Sequence, residues 1–182
     1  TGYVQPYADN PLDDEHTGEN VYMNVLNSAR EYAYFITPYL LISDEMKKAF
    51  TLAARRGVDV RIITPGIPDK KFVYQATRSY YNRLVKKGVR IFEYTPGFCH
   101  AKQCVSDDKA AVVGTINLDY RSLYHHFENA AAFYHKDAVA GVKADFDHLF
   151  EECHEVTEQY RSHRRLLRKR HQAPRLPGRI GY

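Results

Sequence analysis

Long apolar runs are missing from this chain. A bilayer-crossing helix needs roughly 18 or more consecutive apolar residues, and no such stretch occurs, so no membrane span is expected. The sequence opens on polar residues, TGYVQPYADN. A charged region followed by an apolar core is absent, so no secretory leader is expected either. Cysteine is scarce: Cys99, Cys104 and Cys153 are the only three, an odd number with no CxxC pair. That does not suggest a disulfide framework, disfavours a structural zinc site and fits a reducing compartment. The main body also lacks an excess of positive charge. The net charge of +4 arises from residues 161–182, which hold eight Arg or Lys and no Asp or Glu. Residues 1–160 carry 18 basic and all 22 acidic residues, a net of −4. A general nucleic-acid-binding surface is therefore not expected on the body.

What remains is a chain of 182 residues, 44% hydrophobic and 26% charged, enough for one soluble globular domain with a real core. Two regions follow from the charge division: a folded domain over residues 1–160 and a basic C-terminal extension over 161–182. Hydrophobic periodicity then gives the elements. GYVQPY reads as a strand, and Val21, Val25, Leu26 and Ala29 recur at helical spacing, predicting a helix over 17–31. YAYFIT, 32–37, reads as a buried strand stopped by Pro38. Ser43 is an N-cap followed by Asp44 and Glu45 in the first turn, and this helix ends near Gly57. DVRIIT, 59–64, is a strand; a helix covers 69–87 and ends at Gly88; VRIFEY, 89–94, is another strand. This alternation predicts an α/β fold with parallel pairing. AKQCVS, AAVVGT and FENAAAFY then follow as strands with short connections. A last helix from about Asp137 carries an apolar stripe of Val142, Phe146, Leu149, Cys153, Val156 and Tyr160, and runs on into RRLLRKRH.

The chemistry lies in HAKQCVSDDKAAVVGTIN, 100–117. His100 and Lys102 are two apart on what reads as a strand, so both side chains point to one face. A histidine that attacks phosphorus or protonates a leaving oxygen, beside a lysine that neutralises phosphate, suits a phosphodiester. Thr115 and Asn117 repeat the two-residue spacing after Gly114, which allows close backbone approach. They are positioned as donors to the same phosphate oxygens. His125 and His126 lack a third ligand at useful spacing, so no metal or other cofactor is expected. For the tail, RSHRRLLRKRH, three readings stand: a solvated helix end, a contact with an anionic lipid surface, or nucleic-acid binding.

The spacing of His100, Lys102, Asp107, Gly114, Thr115 and Asn117 resembles the phospholipase D superfamily signature HxKxxxxDxxxxxxGSxN, with Thr for Ser. GYVQPYADNPLDDEHTGENVYMNVLNSAR, ITPYL, RGVDVRIITPGIPDKK, YTPGF and GTINLDYRSLYHHFE resemble the C-terminal phospholipase D-like domain of bacterial cardiolipin synthases. The likeness covers residues 2–160. Cys99 and Cys104 stand where aliphatic residues are more usual.

The resemblance implies a mixed β-sheet flanked by helices on both faces. It implies transfer of a phosphatidyl group between two phosphatidylglycerol molecules, with release of glycerol, through a phosphohistidine. His100 would act as general acid and then base. Lys102 and Asn117 would bind phosphate, Thr115 would assist, Glu128 would orient His100, and Asp107 would be mostly structural. Tyr39, after the first buried strand, is a candidate for the lipid pocket. The implied setting is the cytoplasmic side of the cell membrane. The implied partner is a second HxKxxxxD domain, in a longer chain or in a second copy. A homodimeric single-motif phosphodiesterase or nuclease, and a non-catalytic lipid-binding half, are the alternatives.

Overall fold

The computed structural model describes residues 2–162, so the expectations for the basic extension lie almost wholly outside the described residues. Fifteen elements follow one another: β1 (Val4–Asp9), α1 (Thr17–Ser28), β2 (Tyr32–Ile36), β3 (Leu40–Leu41), α2 (Asp44–Arg55), β4 (Asp59–Pro65), α3 (Lys71–Val85), β5 (Arg90–Tyr94), β6 (Gln103–Ser106), β7 (Ala110–Gly114), β8 (Leu118–Asp119), α4 (Tyr120–Tyr124), β9 (Glu128–Phe133), α5 (Lys136–Glu152) and β10 (Cys153–Glu155). Eight strands form one mixed sheet in the order β1-β9-β7-β6-β2-β4-β5-β10. β2, β4 and β5 run parallel, joined by helices, and the remaining neighbours in this sheet pair antiparallel. β3 and β8 make a separate parallel pair.

Three helical boundaries have a clear local cause. Ser43 accepts a hydrogen bond from Met46 N at 3.0 Å and opens α2, as its sequence position predicts. Gly57 and Gly88 adopt φ of 94° and 102° just past α2 and α3, a left-handed conformation that ends a helix cheaply only at glycine.

Two apolar layers clothe the sheet. One contains Leu26, Phe35, Phe50, Val60, Leu84 and Ile91, and carries α1, α2 and α3. The other contains Tyr34, Ile36, Ile63, Val105, Val139 and Phe146, and carries α5. Helices therefore flank both faces, as the resemblance implies.

Two local expectations need correction. The continuous last helix breaks at Cys153, whose backbone is extended (φ −93°, ψ 151°). Its apolar stripe serves two layers: Val142, Phe146, Leu149 and Cys153 pack in the α5 layer, whereas Val156 and Tyr160 pack in the opposite one. The chain must round the edge of the sheet between them, and it does so as β10, paired with β5. Secondly, His100 and Lys102 stand just before β6 rather than on a strand. β2 has ended at Ile36, opposite Gln103, so the residues preceding Gln103 have no β2 partner. The Lys102 carbonyl still accepts from Gly114 N at 3.2 Å, which keeps the segment against β7.

Candidate active site

The strand register gathers the predicted residues at one edge of the sheet. Gln103 pairs with Ile36 on one side and Val113 on the other, and Gly114 pairs with Ala130. The start of β6, the end of β7 and the start of β9 therefore meet beside the C-terminal end of β2. There His100, Lys102, Thr115, Asn117 and Glu128 line one open cleft of about 560 Å3. An adjoining cleft of about 300 Å3 shares Asn117 and Glu128 and adds Tyr39, Lys70, Arg121 and His126. Gly114 makes the convergence possible. A Cβ there would lie 2.5 Å from the Asn129 carbonyl oxygen and closer still to the Ala130 side chain.

Lys102 is bound to the histidine it accompanies. Its Nζ donates to the His100 carbonyl at 2.7 Å and lies 2.8 Å from Nδ1 and 3.1 Å from Nε2 of the same residue. An ammonium group can only donate, so this contact favours a ring nitrogen with a lone pair, and hence the neutral imidazole over the imidazolium. The electrostatics agree. Partial burial and the Lys102 charge hold the His100 pKa below its ordinary value, against an opposing pull from Asp69. Burial also lowers the Lys102 pKa, opposed by Glu128. Phe98 and Tyr39 bracket the imidazole, with ring centroids 5.7 and 6.5 Å away. The Tyr39 hydroxyl donates to Asp69 at 2.5 Å, which anchors that ring. The imidazole nevertheless remains exposed to solvent.

Two expected roles change. Glu128 makes no hydrogen bond to His100. One of its carboxylate oxygens accepts from Thr115 Oγ1, and the other accepts from Ser122 Oγ at 2.7 Å. Thr115 also accepts from Asn129 N at 3.0 Å. A hydroxyl has one proton to give, and this one is spent inside the wall, so Thr115 is a brace in this arrangement rather than a phosphate donor. Asp107 lies at the far edge of the sheet, on the β6–β7 turn. It accepts from the backbone N–H groups of Arg30, Glu31 and Tyr32 at 2.7, 2.9 and 2.9 Å, so its carboxylate is engaged in holding the entry to β2. Burial works against its ionised form, but those three donors outweigh it and hold the carboxyl below its ordinary pKa.

Asn117 keeps its expected place. Its backbone N donates to Ser122 Oγ at 2.8 Å, while its buried side-chain Oδ1 has no partner. Buried amide atoms are rarely left unpaired, and Asn117 as a residue lines both clefts.

Sequence reasoning missed Ser122, Asp69 and Phe98. Only Ser122 left a signal: Asp119 accepts from Ser122 N at 3.0 Å, a DxxS cap for α4. The other two reach the site through loops whose path no periodicity encodes.

A family model described as "Cardiolipin synthase, PLD-like domain" matches residues 22–150. An uncharacterized protein of Streptococcus mutans is 55% identical over 156 residues, covering 86% of this chain and 34% of that protein. Cardiolipin synthase 2 of Bacillus cereus is 37% identical over 168 residues, covering 92% of this chain and 33% of that protein. The chain thus spans about a third of the length of these relatives. Among solved structures, the phospholipase D family member Nuc from Salmonella typhimurium superposes with a TM-score of 0.72 at 16% identity, covering 85% of this chain and 98% of that one. That likeness concerns the fold.

Proposed function

We propose a function from one premise: this chain belongs to the family of cardiolipin synthase PLD-like domains. On that premise the cleft at His100 is half of a phosphatidyl-transfer site acting on phosphatidylglycerol. A single observation carries the reading. Lys102 is held against His100 in an open cleft that Asn117 also lines.

A bound phosphodiester would draw the Lys102 ammonium and the Asn117 amide to its oxygens. Its negative charge would also favour the imidazolium. The phosphorus–oxygen bond to the leaving glycerol then breaks as the histidine of a second HxKxxxxD motif bonds to phosphorus. His100 gives its proton to the glycerol oxygen. In the return step the hydroxyl of a second phosphatidylglycerol yields its proton to His100 and displaces the partner histidine. Two phosphatidylglycerol molecules become one cardiolipin and one glycerol. The exposure of His100 supports a site completed from outside this fold unit. The free cysteines support the reducing, cytoplasmic side of the membrane.

The test is a chimera in which this chain replaces the matching third of the Bacillus cereus relative. Cardiolipin and glycerol formed in equal amounts, and lost in His100→Ala, is the expected result. A folded chimera that forms cardiolipin equally well with Ala at position 100 would overturn it. A second reading, in which two copies of this chain complete each other, draws on the coverage of nearly the whole Nuc chain by this fold unit. Sedimentation equilibrium separates the two, because only the second requires a dimer.

A further inference from the structure

In the transfer scheme above, the partner histidine and the glycerol oxygen stand on opposite sides of phosphorus, because displacement at phosphorus runs in line. His100 gives its proton to that oxygen and later takes one from the incoming hydroxyl. Both glycerols, the one that leaves and the one that arrives, therefore lie on the same side of phosphorus as His100. The second motif stands on the other side, so the walls that meet the glycerol belong to this chain.

One cleft without a role fits that place. Its volume is about 300 Å3, and it shares Asn117 and Glu128 with the His100 cleft. Tyr39 joins the two, because it lines the second cleft and its ring centroid lies 6.5 Å from that of His100. The Asp119 carboxylate belongs to the same wall and is close enough to Tyr39 and Lys102 for its charge to act on both.

The charges of the walls decide what the cleft can hold. Lys70 and Arg121 bring two positive charges, and Asp119 and Glu128 bring two negative ones. Two carboxylates beside two cations leave little net attraction for a second phosphate. A polyol is different, because each of its hydroxyls both donates and accepts. Glu128 spends both oxygens on Thr115 and Ser122. Asp119 spends only Oδ1, on Ser122 N at 3.0 Å, and its other oxygen accepts no hydrogen bond among the described residues. Arg121 donates Nε to His126, and its terminal amino groups and the Lys70 ammonium have no hydrogen-bond partner among the described residues. Leu41 and Val73 add an apolar surface for a short carbon frame.

We infer that this second cleft is a polyol subsite, in which Asp119, Lys70 and Arg121 receive the free hydroxyls of the leaving and the arriving glycerol. The choice of alcohol is then made by this half of the site and not by the half that carries the partner histidine. The inference rests on the phosphatidyl-transfer reading, which puts His100 on the glycerol side. A site built to bond a hydroxyl rejects an analogue that lacks it, because its own polar groups are then left unpaired.

The test compares two soluble diesters on the full chain: glycerophosphoglycerol, which is phosphatidylglycerol without its acyl chains, and dipropyl phosphate, which has no hydroxyl. Amide shifts in a titration report both site and affinity. Both diesters should move His100 and Lys102, but only the first should move Lys70 and Arg121, and it should bind at least tenfold more tightly. That preference should fall below threefold in Asp119→Asn. Lys70→Met, at an exposed position, should show the same loss and guards against a disturbed α4 cap in the first variant. Equal binding of the two diesters by the parent, or a preference that survives both substitutions, overturns the subsite. If His100 and Lys102 respond to both diesters in that case, the phosphatidyl-transfer reading still stands. If neither diester moves His100 or Lys102, that reading fails and the subsite falls with it.

Discussion

At the scale of single residues, the account turns on His100 and what holds it. The Lys102 charge and partial burial depress its pKa, and Asp69 resists. In a pH titration of the imidazole resonances, His100 of the ligand-free chain should titrate below 6.5, the ordinary value. Lys102→Met should raise that pKa and Asp69→Asn should lower it. A change of the opposite sign in either variant contradicts the electrostatic picture. Because the folded pKa lies below the unfolded one, the unfolded chain binds the extra proton between the two. His100 therefore costs stability as pH falls through that window, and the cost vanishes above it. Glu128 yields a separate prediction. Both of its oxygens serve hydroxyls of the wall, so Glu128→Ala should destabilise the chain by about 1–3 kcal/mol in urea unfolding. The same substitution should leave the His100 pKa nearly unchanged. A large shift of that pKa would restore the orienting role that the sequence suggests.

At the scale of elements, the turns and edges decide where the site forms. Gly114 lets β7 and β9 approach closely enough for Thr115 to reach Glu128. Gly114→Ala should force the strands apart and cost about 1–3 kcal/mol, the usual penalty for overpacking, seen as a lower urea midpoint. At the opposite edge Asp107 pins the start of β2 through three backbone donors. Asp107→Asn keeps one acceptor oxygen and loses the charge, and should cost about 1–2 kcal/mol. The loss should shrink on acidification, because protonation removes the same advantage from the parent: its depressed pKa contributes stability only above the unfolded value.

Most of the main strands, and the three crossover helices α1 to α3, were legible because each buries a regular face. β2 is buried along its whole length because both of its faces are covered, and β4 is buried from Ile62 onward. The β3–β8 pair was illegible because two residues carry no period. The break at Cys153 was illegible because Val156 and Tyr160 continue the helical spacing while facing the other layer.

At the scale of the whole molecule, the fold builds one site from two halves of a sheet. The parallel half, β2, β4 and β5, ends in loops that supply Tyr39, Asp69, Ile67 and Phe98, while the antiparallel half supplies His100, Lys102, Asn117 and Glu128. The HxK and TxN spacings made the antiparallel contribution readable from sequence. The central claim is that the His100 cleft receives a phosphodiester and responds to it with a proton. The most direct measurement is the His100 pKa in this chain with and without saturating short-chain phosphatidylglycerol. The account predicts a clear rise with the anionic lipid and none with a neutral diacylglycerol of the same chain length. An unchanged pKa at saturation, or an equal change with the neutral lipid, would contradict it.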